Sequence, residues 1–398
     1  MTARGRLVFA PSRYGPDIVG GAEAVQRELA IGLAKRGWDV EVATTCAVDH
    51  FTWENTLPAG LSEIDGIPVR RFPAVAPLPE RGVHEHAINL GVRPTLTDQY
   101  RWLNTGMRSP ELYHYLLDNQ HRFRGMVFAP YPTWMAVAGT QIAASRSVLW
   151  TCLHDEPYAR LDVFRPMLTG AAGLFLMTEP EHDLLHRIVA DPAPHAVVGA
   201  TVPMATAYDP DGFCARHGIE RPFVLFAGRR EGAKGWEELL EAFERATIRL
   251  DLPFDLVTIG GGKVTPPPAI ADRVIDLGFL PDDERDNAFA AAAASIQPSR
   301  YEAFSRTVME AWLAGTPVIA NAASEVVVWH CERSQAGITY RDAFELEECL
   351  SFLASCPEEA ASLGQRGRAY VLEHYDPDAV LDNVDRVLDS WLNEPWEP

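Results

Sequence analysis

Short apolar runs alternate with helical segments along most of this chain, and this alternation restricts the possible fold more than any other feature. Residues 7–10 and 223–226 are examples of such runs. Each is brief and apolar throughout, as expected for a strand that is covered on both faces of a parallel sheet. Residues 21–36 show helical spacing between the run at 7–10 and a second strand at 39–45. A strand, a helix and a strand of this length form a parallel βαβ unit, so the sequence predicts an α/β fold.

The alternation occurs twice, which predicts two domains. A chain of 398 residues is long enough for two or three domains. Periodicity is poor over residues 203–222, where proline and glycine are frequent. We therefore predict Rossmann-like domains at 1–203 and 204–376, facing each other across a cleft, with a last helix at 377–392. In open α/β sheets the ligand lies beyond the carboxyl ends of the strands, so the loops there are the candidate sites.

Composition excludes several function classes. The chain has 35 Lys and Arg residues against 55 Asp and Glu residues, a formal net charge of −20. Binding along nucleic acid requires a basic face, so we expect no nucleic-acid partner. The six cysteines form no C-x-x-C pair, and no H-E-x-x-H is present, so we expect no metal requirement. No apolar run approaches the ~20 residues of a membrane span, and the N-terminal apolar run is too short for a signal peptide, so we predict a cytoplasmic protein.

Two loops that follow predicted strands carry groups suited to an anion. Gly20 and Gly21 stand at the start of the first helix, where backbone amides favour anions, although a plain tight turn explains them equally well. Arg229 ends another strand, and Lys234 precedes the next helix, where a cation opposes the helix dipole. Two cations five positions apart suit a diphosphate. A solvated charged loop is the alternative reading of the second segment.

A third segment pairs two carboxylates across a loop and a helix. Glu302 precedes the predicted helix at 305–314, and Glu310 lies on its apolar stripe. A glutamate on such a stripe needs partners, and we expect hydroxyl or amide groups. Phe304 and Ser305 stand at the helix start, where their backbone N–H groups can bind an anion. A capping glutamate plus a surface glutamate explains Glu302 well and Glu310 poorly.

His154 ends the apolar run at 147–153 and is a fourth candidate. A lone histidine is more often a hydrogen-bonded structural residue than a catalyst. Its place at the carboxyl end of a strand makes a functional role more plausible.

Taken in order, these segments resemble a known family. The residues that carry the resemblance are Gly20-Gly21-Ala-Glu, Gly228-Arg229 with Lys234-Gly235, Gly260-Gly261-Gly262, Pro298-Ser299, and Glu302 followed at the eighth position by Glu310. They are similar to the retaining glycosyltransferases of family 4 (group 1), which have the GT-B fold, over nearly the whole chain. The resemblance implies that the second domain holds most of a nucleotide sugar. It also implies that the last helix crosses back to the first domain.

The resemblance also assigns roles to individual residues. Arg229 and Lys234 would neutralise the donor diphosphate, and Glu310 would accept the ribose hydroxyls. Glu302 would face the transferred sugar. The backbone amides of Phe304 and Ser305 would bind the sugar or a phosphate, and Leu280 would lie beside the base. Gly20 and Gly21 would approach the phosphates, and His154 would lie near the sugar and the acceptor.

The implied reaction moves a hexose from a nucleotide-diphosphate sugar to a hydroxyl acceptor, with retention and without a metal or other cofactor. A nucleotide-sugar epimerase and a non-catalytic nucleotide-sugar-binding scaffold of the same fold are the alternatives. The acceptor is a glycan, a lipid-linked molecule or a small metabolite. Residues 92–124 mix arginines with aromatic residues, which suits an anionic membrane surface, although acidic residues among them favour an ordinary helical face.

Overall fold

The computed structural model describes residues 4–392 apart from 19, 206 and 251, and these form two compact units. The first unit runs to Thr201 and resumes at Asp378, and the second runs from Val202 to Pro377. The predicted boundary at 203/204 lies two residues from this division. Residues 1–3 of the predicted first domain lie outside the described residues.

A largely parallel sheet forms the centre of the first unit. Its strands are β1 (Arg6–Phe9), β2 (Asp39–Thr45), β3 (Gly60–Ile64), β4 (Ile67–Phe72), β5 (Gly125–Phe128), β6 (Ser147–Trp150), β7 (Gly173–Leu176) and β8 (His195–Val197). They lie in the order β3-β4-β2-β1-β5-β6-β7-β8, and only the edge strand β3 runs antiparallel among these described strands. The helices of this part of the chain are α1 (Gly21–Lys35), α2 (Arg81–Asn89), α3 (Leu96–Thr105), α4 (Pro110–Asn119), α5 (Trp134–Thr140), α6 (Arg165–Gly170) and α7 (Glu179–Ile188).

The second unit is also built on a parallel sheet. Its strands are β9 (Phe223–Ala227), β10 (Asp255–Ile259), β11 (Val274–Gly278), β12 (Ala294–Gln297), β13 (Val318–Asn321) and β14 (Gly337–Tyr340), in the order β11-β10-β9-β12-β13-β14. Its helices are α8 (Pro210–His217), α9 (Trp236–Leu250), α10 (Asp282–Ala291), α11 (Arg306–Leu313), α12 (Glu325–Ser334), α13 (Ala343–Ser355) and α14 (Pro357–His374). The chain moves outward from β9 to one side and then returns to the other side through β12. This reversal of strand order is the topological switch point of a Rossmann-like sheet.

The last helix, α15 (Pro377–Trp391), packs on the first unit. Charged groups hold it there: Arg36 pairs with Asp382 at 2.7 Å, and Arg124 pairs with Asp389 at 3.2 Å. The Trp391 ring lies 4.8 Å from the ring of Phe175 on β7. The helix therefore completes the first unit, although it follows the second unit in the sequence.

Apolar side chains cover both faces of each sheet. Phe128, Leu149 and Leu174 are fully buried in the first unit, and Val224 and Leu256 are fully buried in the second. None of the helices among the described residues has both the length and the apolarity that crossing a membrane requires.

Acidic side chains pair with four of the five arginines in residues 92–124, namely Arg93, Arg101, Arg122 and Arg124. Arg93 lies 2.8 Å from Asp162, and Arg101 lies 3.0 Å from Asp98 on α3. These pairs reduce the positive charge that the segment presents, as the reading of an ordinary helical face requires.

Candidate functional site

Two loops leave the carboxyl ends of β9 and β12 at the switch point of the second unit. The first follows β9 and includes Arg229 and Lys234, and the second follows β12 and includes Glu302 and Ser305. Because β9 and β12 are neighbours in the sheet, the loops emerge side by side. Ligands of open α/β sheets bind in the crevice that such loops leave.

Gly235 allows the two loops to touch. Its φ angle of 70° lies in the left-handed region, which a residue without a Cβ adopts without strain. A Cβ added there would lie 2.6 Å from the carbonyl oxygen of Pro298 in the second loop. The close approach therefore requires glycine, and it brings the preceding residue, Lys234, against the second loop.

Lys234 and Glu302 form an ion pair across this junction. The Lys234 Nζ lies 2.8 Å from Glu302 Oε1, although 68 positions separate the residues in the sequence. The lysine side chain is 29% exposed to solvent, whereas the glutamate side chain is 11% exposed. The ammonium group is thus fixed in place by a carboxylate while solvent still reaches it.

Gln297, at the end of β12, connects the second loop to the start of α11. Its Nε2 lies 2.8 Å from Ser305 Oγ, 2.9 Å from Thr307 Oγ1 and 3.5 Å from Glu302 Oε1. This buried amide links the glutamate of the ion pair to the first turn of the helix.

The N-terminus of α11 faces the same loop, and the side chain of its N-cap residue does not cap it. Ser305 is the N-cap residue, and its φ angle of 62° is in the left-handed region. Because its side chain does not cap the helix, the first-turn amides keep their capacity to bind an anion. The predicted position of Phe304 and Ser305 at the helix start agrees with the structure, which begins α11 at Arg306.

The Phe304 side chain is a packing residue beneath this loop. Its ring stands edge-on to the rings of His330 and Tyr375, with centroids 5.6 and 5.0 Å away. Burial lowers the pKa of His330 to about 3, so this imidazole is neutral at physiological pH. Its Nδ1 is 3.0 Å from the Tyr370 hydroxyl. The predicted role of Phe304 concerns its backbone amide, which this packing leaves unchanged.

Glu310 is buried on α11, and guanidinium groups supply its side-chain contacts. Arg306 Nε donates to Glu310 Oε1 at 3.0 Å, and Arg285 Nη1 lies 3.8 Å from the same oxygen. The expectation of hydroxyl or amide partners was wrong: a carboxylate in this buried position is balanced by positive charge. Burial opposes the charge on Arg285, but the carboxylates of Glu310 and Asp286 raise its pKa above the ordinary value.

Arg229 and its neighbour Arg230 have different environments. Arg229 is 39% exposed and pairs with Glu231 at 3.1 Å. Arg230 is buried, where its Nε donates to Thr258 Oγ1 at 3.0 Å and its Nη2 contacts Asp276. Arg230 therefore ties together the strand-end loops of the sheet, and Arg229 is the arginine that stays accessible.

Leu280 lies in the loop between β11 and α10, at the carboxyl edge of the same sheet. Its side chain is half-buried, and the neighbouring Phe279 is 62% exposed. The structure thus brings Lys234 and Glu302 into contact, and places Arg229, Ser305 and Leu280 on loops of this one edge.

The first unit has its own switch point between β1 and β5, and Gly20 lies beside it. Gly20 is the N-cap of α1 with a φ angle of 157°, and a Cβ there would lie 2.1 Å from Glu23 Oε2. Glu23 pairs with the buried Arg13 at 2.6 Å. Gly21 is exposed, and a Cβ at that position would meet nothing within 4 Å. The turn itself therefore requires glycine at Gly20 and not at Gly21.

His154 follows β6 and is partly exposed. Its Nδ1 lies 3.5 Å from Glu156 Oε1, which also accepts a hydrogen bond from the Tyr131 hydroxyl at 2.5 Å. Burial opposes the charge on Glu156, but contacts with His154 and Tyr131 lower its pKa below the ordinary value. A hydrogen-bonded histidine with a carboxylate beside it is the resulting arrangement.

Glu181, which the sequence analysis did not single out, holds the loop before His154. Its Oε1 accepts hydrogen bonds from Thr151 Oγ1 at 2.6 Å and from the Leu153 amide at 2.7 Å, and its Oε2 accepts one from the Met177 amide at 2.6 Å. Burial raises the pKa of Glu181 to about 7, against the effect of these donors. The sequence signal was Thr178-x-x-Glu181, which indicates a helix cap and no more.

Comparison with known proteins gives a family match within the second unit. Residues 215–370, which include both switch-point loops, match the family model described as glycosyl transferases group 1. This segment of the chain is therefore similar to the group 1 glycosyltransferases. The number of the family, 4, stays a prediction.

Individual proteins similar to this chain have names that agree with the match. An MMP α-(1→4)-mannosyltransferase of Mycolicibacterium hassiacum is 31% identical over 174 residues, which are 41% of this chain and 41% of the relative's own length. A D-inositol 3-phosphate glycosyltransferase of Saccharomonospora viridis is 26% identical and is matched over 92% of this chain and 89% of its own length. The first match therefore spans less than half of that relative.

A solved structure confirms the predicted GT-B fold. The Anabaena protein HepE, solved in complex with UDP-glucose, is similar in structure to this chain, with a TM-score of 0.71. The similarity covers 97% of this chain and 99% of HepE, at 18% sequence identity.

Proposed function

We propose that this protein is a group 1 glycosyltransferase with a retaining mechanism, which transfers a hexose from a nucleotide-diphosphate sugar to a hydroxyl acceptor. The observation that carries the proposal is the Lys234–Glu302 ion pair at the switch point of the second unit, 2.8 Å long and open to solvent on the lysine side. Relatives named as glycosyltransferases and a structural neighbour solved with UDP-glucose support a nucleotide-sugar donor.

In this proposal the diphosphate binds beside Lys234 and Arg229. Both cations face carboxylates in the protein alone, Glu302 and Glu231 respectively. A diphosphate brings two negative charges, so it competes with Glu302 for the ammonium group. Lys234 then turns toward the phosphates, and the Glu302 carboxylate becomes available to a hydroxyl of the transferred sugar.

The α11 amides and the cations stabilise the departing diphosphate. Charge develops on the phosphate oxygen as the bond to the sugar breaks, and donors fixed in advance stabilise that charge without reorganisation. The uncapped first turn after Ser305 supplies such donors. Glu310 has a predicted role toward the ribose hydroxyls, and its carboxylate is held in place for that role by Arg306 and Arg285.

Retention follows from attack on the same face of the sugar. The acceptor oxygen forms its bond to the sugar carbon as the carbon–oxygen bond to the diphosphate breaks. The acceptor proton passes to the departing phosphate oxygen. No enzymic nucleophile is needed, so Glu302 acts as a sugar ligand and not as a covalent catalyst. His154, in the first unit, keeps its predicted role near the sugar and the acceptor.

A thermal-shift panel of UDP-, GDP-, ADP- and dTDP-sugars identifies the donor, because a ligand of the native state raises the melting temperature. The stabilising donor is then incubated with an acceptor panel in excess EDTA. We expect a glycosylated product whose anomeric configuration equals that of the donor. Isomerised donor without transfer would favour the epimerase alternative. Loss of activity in EDTA would contradict metal independence, and an inverted product would contradict retention.

A further inference from the structure

Three histidines of the first unit converge on one point at the surface. His182 and His186 are one helical turn apart on α7, so they share a face. His195 begins β8 and approaches from the edge of the sheet. The ring centroids are 4.6 Å apart for the two helical histidines, and 5.0 and 5.3 Å from His195 to His186 and His182.

Their ring nitrogens are arranged as metal ligands are. One nitrogen from each ring can be chosen so that all three lie within 4.8 Å of one another. The Nε2 atoms of His186 and His195 are 3.3 Å apart. In a tetrahedral zinc site, Zn–N bonds of about 2.0–2.1 Å place ligand nitrogens roughly 3.3–3.4 Å apart. Two of the three donors therefore already have the spacing of a metal site.

A backbone carbonyl contacts one ring nitrogen of His195 and leaves the other directed at His186. The His195 Nδ1 atom lies 2.9 Å from the carbonyl oxygen of Ala193, which can only accept a hydrogen bond. With Nδ1 donating to this carbonyl, Nε2 is the nitrogen that faces His186 and can bind a metal. A histidine ligand characteristically donates its other N–H to a carbonyl or a carboxylate in this way.

We propose that His182, His186 and His195 bind a divalent transition-metal ion, with Zn²⁺ as the physiological candidate. Neutral imidazole is a favoured ligand of zinc, copper and nickel. His186 is exposed and the other two are partly exposed, so water completes the coordination. Rotation of the His182 side chain would bring its nitrogen to the same spacing as the other two. The His182 Nδ1 atom lies 3.2 Å from Asp183 Oδ1, a contact that this rotation would break.

The ion has a structural role in this proposal. It joins the exposed face of α7 to the edge strand β8, while Glu181 on the buried face of α7 holds residues 151–153. The histidines are in the first unit, whereas Arg229 and Lys234, the cations predicted to bind the diphosphate, are in the second. Metal binding at this site is therefore compatible with sugar transfer in which no metal takes part.

The test uses the full chain without a histidine tag, treated with chelator and returned to metal-free buffer. Calorimetric titration with ZnCl₂ is expected to show one Zn²⁺ per chain and a raised melting temperature. Co²⁺ is expected to give the visible absorption of a nitrogen-ligated ion. The double variant His182→Ala/His186→Ala is expected to weaken Zn²⁺ binding by about 100-fold or more. Alanine is favourable at exposed helical positions, so the variant keeps its fold, which circular dichroism checks.

His86→Ala, which removes an exposed histidine from α2, is the matched control and is expected to bind Zn²⁺ like the wild type. A single His195→Gln variant, expected to lose binding as well, tests the site from the β8 side. The proposal is overturned if the wild type binds no stoichiometric Zn²⁺, because the histidines then form only a hydrogen bond. It is equally overturned if the double variant binds as the wild type does.

Discussion

Each of the two units places an ion pair beside its first strand-to-helix loop, and the two pairs differ in how far solvent reaches the cation. In the first unit the Arg13 side chain is 6% exposed, pairs with Glu23 at 2.6 Å and donates to the Val48 carbonyl at 2.9 Å. In the second unit the Lys234 side chain is 29% exposed and pairs with Glu302 at 2.8 Å. The arginine is held on several sides, whereas the lysine can exchange its partner.

The comparison shows that one fold uses the same kind of charge pair in two ways. A buried pair fixes a loop, and breaking it leaves an uncompensated charge. A pair that solvent reaches costs little to open, so a ligand of higher charge can replace one partner. Substitution of Arg13 should therefore mainly lower stability, and substitution of Lys234 should mainly lower the rate of the reaction.

Lys234→Ala is expected to have the largest effect. Removing a preorganised donor from a developing anion costs about 100- to 1,000-fold in turnover, and we expect kcat to fall by that factor. The melting temperature should change little, because the pair is accessible to solvent. Steady-state kinetics with the identified donor provide the measurement, and Lys35→Ala, an exposed lysine on α1, is the control. An unchanged kcat would refute the diphosphate role.

Arg13→Ala is expected to lower the free energy of unfolding by about 3 kcal/mol, because it leaves Glu23 partly buried without its cation. Urea denaturation measures the loss. The matched control is Arg27→Ala, which breaks a pair with Asp65 whose side chains are 30% and 32% exposed and should cost at most about 1 kcal/mol. If both variants lost the same free energy of unfolding, the buried pair would be no more important for stability than the accessible one.

Glu302→Gln is expected to lower kcat by about 10- to 100-fold, since a hydrogen bond to a charged group contributes ~1.5–3 kcal/mol. The amide keeps the size of the side chain and can still accept from Gln297. Donor KM should change less than kcat if the carboxylate acts on the transferred sugar as charge develops. A variant with wild-type kcat would show that Glu302 serves only to hold Lys234.

His330 predicts an acid sensitivity in the second unit. The folded-state pKa of about 3 lies below the ordinary value of 6.5, so the stabilisation is complete above pH 6.5 and is lost as pH falls toward 3. Between pH 7 and pH 5 the loss should be about 2 kcal/mol relative to His330→Gln. Urea midpoints of both proteins at the two pH values test this, and parallel pH dependence would contradict it.

The strands that pack on both faces were predictable because their apolar runs are short and bounded by turn residues. β9 and β10 show this pattern clearly. Strand β3 was not predicted, because most of its residues are exposed and show no apolar alternation. The pair Asp65-Gly66, in which both residues have positive φ angles, was the signal of a hairpin turn. Residues 203–222 were interpreted as a boundary, but they contain α8, which Asp209 caps and Gly218 ends.

The sequence identified which residues form the site, but it could not show which of them are in contact. A strand end next to a helix start is visible in the sequence, and it identified Lys234 and Glu302 separately. Their contact depends on strand order, which places β12 beside β9 after two intervening strands. For Glu310, the partner Arg306 lies one helical turn away and could have been anticipated, whereas Arg285 reaches it only through tertiary packing.

The most direct test of the central claim is a crystal structure of this chain with the donor selected by the thermal-shift panel. We expect diphosphate oxygens at about 3 Å from Lys234 Nζ, with the ammonium group turned from Glu302 toward the phosphates. A nucleotide sugar bound elsewhere, with the Lys234–Glu302 pair unchanged, would contradict the account.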